Sequence, residues 1–393
     1  MSKKENYNSQ AEALRGIACL CVVIHHLSQD RLDSSMNLAR LTGFVMPGHI
    51  FVLVFFMLSG YVIGITNTNQ RSNFDSITYL KKRLVRIYPI YFIVAIGSFL
   101  ISKNPVQDLA STLLFAQNIL TDNLSANRAL WSLNHEFLYY LIFILLVKGN
   151  IPVYAALGGT FTLGLACLVF PSLHPLVPAY SIGLFFWLSG LFLAWKLPNN
   201  TASSGNEGKF LLSMVLLLVC CHVLNPLYGL IPLVDLNPGF GNQNIVNIYD
   251  LVLWPFCFVA LLVFSSKKFA YTAMLVRFCQ LICFSYILVF LLRHREWNRD
   301  MIDMTLVFCG SIVFSFVHLH NRWLTPFEYF GKISYALYVV HMPLMYLLSH
   351  WTVSEAGKAE YFVKLGLFLV LSISISHLLE RVLQPKIKRL FFP

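Results

Sequence analysis

The sequence predicts an all-α integral membrane protein, a bundle of about ten to twelve transmembrane helices. Hydrophobic residues make up 57% of the 393 residues and charged residues only 12%, and the mean hydropathy is +0.66. Soluble domains carry about twice that share of charged residues. The apolar residues also fall into long runs, and a chain of this length has room for roughly ten to twelve spans of ~20 residues.

Twelve apolar runs are candidate spans. The runs at 250–265 and 273–292 could instead form a re-entrant or tilted pair, which leaves ten spans as the alternative. We predict a single membrane domain over residues 1–393, with no appended soluble domain. The candidate spans are 14–29, 49–66, 88–102, 131–147, 152–170, 180–195, 210–225, 250–265, 273–292, 301–319, 333–350 and 361–379.

Three connections are longer than a turn requires. Residues 198–208 are polar and small, which is typical of a flexible linker. Residues 103–130 contain an amphipathic stretch at 109–120 that we expect to lie on the membrane surface. Residues 226–250 are rich in Asn, Gly and Pro, and loops of that length on a rigid scaffold often carry recognition.

The net charge of +11 is explained by membrane topology rather than by a nucleic-acid partner. With the N-terminus inside, 18 of the 29 basic residues fall in inner segments, 8 in outer segments and 3 in spans. This bias predicts that both termini are cytoplasmic, although three arginines between 293 and 299 fall outside. The polar start, residues 1–12, has no features of a cleavable signal peptide.

The nine cysteines lie in apolar runs, and none has metal-ligand spacing with a histidine, so we expect no metal site.

The first span places a cation and an imidazole on one side of an apolar helix. Arg15 and His26 are eleven positions apart, which returns to the same helix face about 16 Å along the axis, whereas His25 points away. Ionisable groups in hydrocarbon are costly and indicate function. The alternative is an arginine that snorkels at one membrane edge and histidines at the other.

The second span contains Ser59-Gly60, where a small residue allows close approach of another backbone or of a ligand. Simple helix packing is the favoured interpretation of this stretch alone.

Before the third span, Arg83 and Arg86 share a helix face, and Lys82 lies one turn before Arg86. Paired guanidinium groups suit phosphate, which they bind through bidentate hydrogen bonds. The alternative is the positive-inside rule together with contact to anionic lipid.

Glu136 lies early in an apolar helix that enters from the outside, after Trp131 and Ser132. A carboxylate there needs a partner, and His26 is expected at the same membrane level. The alternative is an interfacial Glu136 that faces water beside Trp131 in the aromatic belt.

Near the C-terminus, Ser334, Tyr338 and His341 form one polar stripe of a span. Glu380-Arg381 closes the last span ahead of a basic tail, which is most simply a cytoplasmic anchor.

Taken together these stretches resemble the acyltransferase 3 family of integral membrane acyltransferases. Each motif is weak alone, but six in order are specific. They are Leu14-Arg15-Gly16-Ile17-Ala18 with His26, the run from Phe55 to Tyr61, Arg83-Leu84-Val85-Arg86-Ile87-Tyr88-Pro89, Trp131-Ser132-Leu133 with Glu136, the run from Ile333 to Tyr338 with His341 and Pro343, and Glu380-Arg381.

The resemblance implies a bacterial inner-membrane O-acyltransferase, most simply an acetyltransferase. Its donor would be cytoplasmic acyl-CoA, and its acceptor a hydroxyl of an extracytoplasmic or lipid-linked glycan. The catalytic residues would be His26, Glu136 and Arg15, with His26 as the general base, aided by Glu136. The donor site would use Arg83, Arg86, Lys82 and Arg15, and the substrate pocket would use Ser59, Tyr61, Trp131, Ser132, Tyr335 and His341.

The chain departs from the family pattern at two places, with Leu53 where many members have an acidic residue, and Asn134-His135 where Ser-Val is usual. Both bear on the acceptor more than on the reaction. A transporter or flippase is the rival function, since it also has many spans with polar residues at depth. A non-catalytic interaction protein would leave Arg15, His26 and Glu136 without a purpose.

Overall fold

The structure is a computed structural model that describes residues 9–29, 32, 37–67, 74–170, 172–198, 210–221, 246–265, 267, 269–294, 299–317, 321–351 and 358–392. Within these residues the chain is helical and has no strand, which confirms the all-α prediction.

The helices are named in chain order. They are α1 (Ser9–Gln29), α2 (Leu38–Thr42), α3 (Gly48–Thr66), α4 (Ser76–Ile101), α5 (Val106–Leu113), α6 (Trp131–Lys148), α7 (Val153–Leu165), α8 (Leu176–Lys196), α9 (Leu211–Cys220), α10 (Trp254–Phe264), α11 (Thr272–His294), α12 (Arg299–Phe314), α13 (Thr325–Ser349), α14 (Lys358–His377) and α15 (Gln384–Phe391).

Seven helical segments of the described chain are long and apolar enough to cross a membrane, so the protein is an integral membrane protein. Four further apolar helical segments are shorter. Which side each terminus faces stays a prediction. The seven are Ser9–Gln29, Gly48–Thr66, Ser76–Ile101, Arg128–Lys148, Leu176–Lys196, Thr272–Leu292 and Lys358–Phe391.

A helix stands at each of the twelve predicted runs, but the third begins a dozen residues earlier than expected. The carboxylate of Asp75 caps α4 by accepting from the backbone N–H of Ile77. The basic stretch at 81–86 therefore lies in the same helix as the apolar run. Pro89 is inside α4, and because proline has no N–H, the carbonyl of Val85 loses its helical donor.

The amphipathic stretch predicted at 109–120 is a shorter helix, α5, followed by turns. Phe115 and Asn118 have positive φ angles of 55° and 67°, which end helical continuation. Asp108, Ser111 and Thr112 face inward, while Leu114 and Leu120 are exposed. The exposed apolar side fits a segment that lies on a membrane surface.

The chain divides into two compact units. Unit 1 comprises Met1–Ala18, His49–Asn69 and Pro152–Glu328, and unit 2 comprises Cys19–Gly48, Gln70–Ile151 and Tyr329–Pro393. Helix α1 contributes its first part to unit 1 and its second part to unit 2.

In unit 1, α3 and α8 approach backbone to backbone. A Cβ atom added at Gly60 would lie 1.9 Å from the carbonyl oxygen of Trp187, and one added at Gly190 would lie 1.9 Å from that of Met57. Small residues at such crossings are typical of helix packing in membranes. Elsewhere in this unit α7 packs along α8, and α9 packs against α10 and α12.

In unit 2, α4 packs against α5, α6 and α15. Between α14 and α15, residues Leu378–Leu383 form a π-helical segment, a form often found at functional sites. Gln384 follows it and donates from Nε2 to the carbonyl oxygen of Val85 at 2.6 Å. Gln384 therefore supplies the donor that Pro89 withholds from α4.

Some sequence predictions fall outside the described residues. These are the linker at 198–208 except residue 198, the recognition loop at 226–250 except its last five residues, the N-terminal residues 1–8 and the side chains of Arg293 and Arg295.

Candidate functional site

Arg15 lies on the part of α1 that belongs to unit 1. Its Nη1 atom is 3.1 Å from Oε2 of Glu12, one turn earlier, and its side chain is 21% exposed. A cation inside an apolar helix is thereby paired with a carboxylate of the same helix. The sequence analysis did not anticipate Glu12 as this partner.

His26 lies at the other end of α1, in unit 2, and is flanked by two further imidazoles. Its ring centroid is 5.2 Å from that of His25 and 5.2 Å from that of His341 on α13. His26 is half-buried, whereas His341 is fully buried. Two residues singled out 315 positions apart in sequence thus meet in one place, an arrangement that no local spacing indicates.

The tautomers of the two flanking histidines follow from their hydrogen bonds. Nδ1 of His25 is 2.6 Å from the carbonyl oxygen of Met46, and Nδ1 of His341 is 3.2 Å from that of Leu337. A carbonyl oxygen only accepts, so Nδ1 carries the proton in both rings. In each neutral ring, Nε2 then bears the lone pair, which can accept a proton or a hydrogen bond.

Glu136, on α6, lies among tyrosines and the first arginine of α4. It accepts a hydrogen bond from the hydroxyl of Tyr140. Glu136 and Arg83 both act electrostatically on Tyr79 and Tyr140, and the guanidinium of Arg83 lies 5.5 Å from the Tyr79 ring centroid. The predicted role of Glu136 in orienting His26 stays a prediction.

Arg86 forms a two-point ion pair with Glu380 of the π-helical segment. Nη1 is 2.5 Å from Oε2 and Nη2 is 3.2 Å from Oε1, which is the fork geometry of strong guanidinium–carboxylate pairs. The Glu380 side chain is 2% exposed and that of Arg86 is 43% exposed. Glu380, predicted from the sequence to close the last span, therefore lies beside the basic residues of α4, of which Lys82 is exposed.

In unit 2, Tyr335 lies beside Arg86, and Ser132 lies beside Tyr338. The hydroxyl of Tyr335 donates to the carbonyl oxygen of Ile87 at 2.7 Å, and its ring lies 5.8 Å from the Arg86 guanidinium. The Ser132 hydroxyl is 2.8 Å from that of Tyr338. Trp131 is buried and packs edge-on against His135.

Ser59 and Tyr61 are placed in unit 1. Ser59 accepts a hydrogen bond of 3.2 Å from the indole N–H of Trp187 on α8, and Tyr61 is 1% exposed. Both residues line the α3–α8 contact, in which the neighbour is protein backbone rather than open space.

Two pairs of charged groups were not found by sequence reasoning. Nε2 of His49 is 2.9 Å from Oδ2 of the buried Asp250 in unit 1, and these residues are 201 positions apart. Glu360 and Lys364 form a buried pair at 2.8 Å on α14. Their i,i+4 spacing is a signal that the sequence did offer.

Within the described part of the chain, no group of three or more His, Cys, Asp or Glu residues is arranged to hold a metal ion. Eight cysteines there are free thiols, seven of them buried and Cys309 exposed.

Comparison with known families shows that residues 8–292 match a family model described as an acyltransferase domain. This is well over half of the chain and includes Arg15, His26, Arg83, Arg86 and Glu136. The motifs around Tyr335, His341 and Glu380 lie beyond the matched residues. No curated protein and no solved structure matches the chain significantly.

Proposed function

This chain belongs to the acyltransferase 3 family, and on that premise we propose that it moves an acyl group, most simply acetyl, from cytoplasmic acyl-CoA to a hydroxyl of an extracytoplasmic or lipid-linked glycan. The family makes it a membrane acyltransferase; donor, acceptor and acyl group are our proposal. The observation that carries the proposal is the half-buried His26, which has His341 against its ring and stands three helical turns from Arg15 on one helix.

The donor phosphates would bind at the start of α4. Lys82 is exposed, Arg86 is 43% exposed, and Arg83 is half-buried one turn from Arg86. Arginine binds phosphate through two parallel N–H donors, and lysine adds a point charge. The donor-binding role of Arg15 stays a prediction from the sequence.

The reaction would begin when His26 takes the proton from the acceptor hydroxyl. The hydroxyl oxygen then forms a bond to the thioester carbonyl carbon, the carbon–sulfur bond breaks, and the proton held by His26 passes to the departing CoA thiolate. A transient acyl-His26 is an alternative route to the same product. No metal takes part in either route.

The other predicted residues would support this step. Glu136 would orient His26 or stabilise its cationic form, as a carboxylate does in a catalytic triad. Trp131, Ser132, Tyr335 and His341 would shape the substrate pocket in unit 2, and the pocket roles of Ser59 and Tyr61 stay predictions from the sequence. We expect the enzyme in the bacterial inner membrane with both termini cytoplasmic.

The test is binding of acetyl-CoA by the purified full-length protein in detergent. Wild type should bind, and Arg83→Ala/Arg86→Ala should lose that binding. The matched control is Lys103→Ala/Arg128→Ala, which removes two cations from the segment predicted to be outside. A folded wild type that binds neither acetyl-CoA nor longer acyl-CoAs would favour the rival function, a transporter or flippase.

A further inference from the structure

We propose that Glu380 is a positioning residue that fixes Arg86 in the orientation needed to bind the donor phosphates. The inference rests on the proposed function, because it takes Arg86 as a donor ligand. It gives a role to a residue of the last motif of the chain, for which the sequence alone indicated none.

Glu380 is a buried carboxylate, and burying a charge costs free energy. The Glu380 side chain is only 2% exposed. A buried charge is tolerated when it is paired with an opposite charge and hydrogen-bonded, and the Glu380 carboxylate meets both conditions. It holds the guanidinium of Arg86 at two points, and its Oε1 accepts the backbone N–H of Ala336 at 3.3 Å.

The ion pair with Glu380 orients the guanidinium of Arg86. The fork to Glu380 uses two of its five N–H donors. The Arg86 side chain is still 43% exposed, so part of it faces outward while the carboxylate holds the inner edge. The Tyr335 ring, 5.8 Å away, flanks the same group.

The backbone of α4 next to Arg86 is also held in place. Three consecutive residues of α4 are each fixed by a side chain from the C-terminal part of the chain. Gln384 donates to the carbonyl of Val85, Glu380 pairs with Arg86, and Tyr335 donates to the carbonyl of Ile87. Side chain and backbone are therefore both ordered before a ligand arrives.

This order has a consequence for binding. A free arginine side chain loses rotamer entropy when it binds a phosphate. A side chain that an ion pair has already fixed avoids that loss on binding. Against this, Glu380 also contributes a negative charge near an anionic ligand. Charge alone predicts that Glu380→Gln binds acyl-CoA more tightly, whereas positioning predicts weaker binding, so the two effects have opposite signs.

The experiment measures acetyl-CoA binding and steady-state kinetics on the full-length protein in detergent. Glu380→Gln should raise the Kd and the KM for acetyl-CoA about tenfold, equivalent to about 1.4 kcal/mol, with kcat changed less than threefold. Glu380→Asp should restore part of the affinity. The matched control is Glu360→Gln, another buried carboxylate with an ion pair, to Lys364, which should leave the Kd unchanged.

A double-mutant cycle separates positioning from general damage. If Glu380 acts through Arg86, Glu380→Gln should have no further effect on the Kd in an Arg86→Ala background. Equal additive losses in both backgrounds would overturn the inference, and so would tighter binding by Glu380→Gln. If that variant does not fold, Glu380→Asp with unchanged Kd and KM would likewise overturn it. Wild type that binds no acyl-CoA removes the proposed function as well, and that outcome is distinct from the others.

Discussion

The imidazole rings of His26 and His341 lie 5.2 Å apart, centroid to centroid, at an interplanar angle of 38°. His341 donates from Nδ1 to its own helix, so its Nε2 atom carries the lone pair. A fully buried ring thus packs against the half-buried ring of His26. The histidine that we propose as the general base thus contacts a side chain from a helix outside the matched family region.

Replacing His341 with Phe keeps a ring of similar size and removes both nitrogen atoms. We expect kcat to fall about tenfold, or about 1.4 kcal/mol of transition-state stabilisation, because His26 loses a polar neighbour. The KM for acetyl-CoA should not change. Acyl transfer assayed on purified variants measures both constants, and a kcat equal to wild type would show that ring packing alone suffices.

Replacing His26 with Ala should lower kcat by at least about 100-fold, since a positioned general base contributes about that much or more. His25→Ala is the matched control on the adjacent position. His25 uses Nδ1 to hold the carbonyl of Met46, and its ring packs on Gly48, so its loss should reduce stability more than kcat. An active, folded His26→Ala protein would contradict the assignment of the base.

Adding a methyl group at Gly60 should destabilise unit 1. The new Cβ would lie 1.9 Å from a backbone carbonyl oxygen of α8, and backbone cannot step aside as a side chain can. We expect Gly60→Ala to cost about 3 kcal/mol, at the upper end for overpacking. Thermal unfolding in detergent checks this against Gly97→Ala, where no heavy atom lies within 4 Å of the added Cβ. Equal melting temperatures for the two variants would refute the close approach.

The cap of α4 should make stability depend on pH. The hydroxyl of Thr78 donates to Asp75, and this bond, with backbone N–H donors, lowers the pKa of the Asp75 carboxyl. Because the folded pKa lies below the unfolded value of about 3.9, the cap stabilises the protein above that pH. This contribution is lost as pH falls through the folded pKa.

Asp75→Asn keeps a good cap but does not titrate. The difference in melting temperature between wild type and this variant should be constant from about pH 5 to pH 7 and should shift against wild type below about pH 4. The Thr78→Val variant should lose stability at a higher pH than wild type does. A difference that is independent of pH throughout would show that the carboxylate is not the stabilising form.

Most of the helices could be predicted from the sequence because transmembrane helices appear as uninterrupted apolar runs. All twelve runs contain a helix, and errors concern helix ends, such as the start of α4. There a charged, amphipathic stretch that the sequence places on a helix is continuous with the apolar span, and hydropathy does not mark where the helix begins. The helix propensity of Lys and Arg and the cap at Asp75 were the available signals.

The residues of the proposed site could be named from the sequence, but the neighbours that the structure gives them could not. Motif spacing singled out His26, Arg86 and Glu136, but their neighbours come from distant segments. Glu380 is 294 positions from Arg86 and His341 is 315 from His26, so no periodicity links them. Only packing of α13 and the π-helical segment against α4 and α1 brings these side chains together.

Arg86 and Glu380 are synthesised at different times, because 294 positions separate them in the chain. At about 5–20 residues per second, roughly 15 to 60 seconds separate their synthesis. During that interval α4 enters the membrane with an arginine that lacks its final counter-ion and a carbonyl that lacks its final donor. Formation of the Arg86–Glu380 pair is therefore a late event of biogenesis, and a chain that ends before the π-helical segment cannot form it.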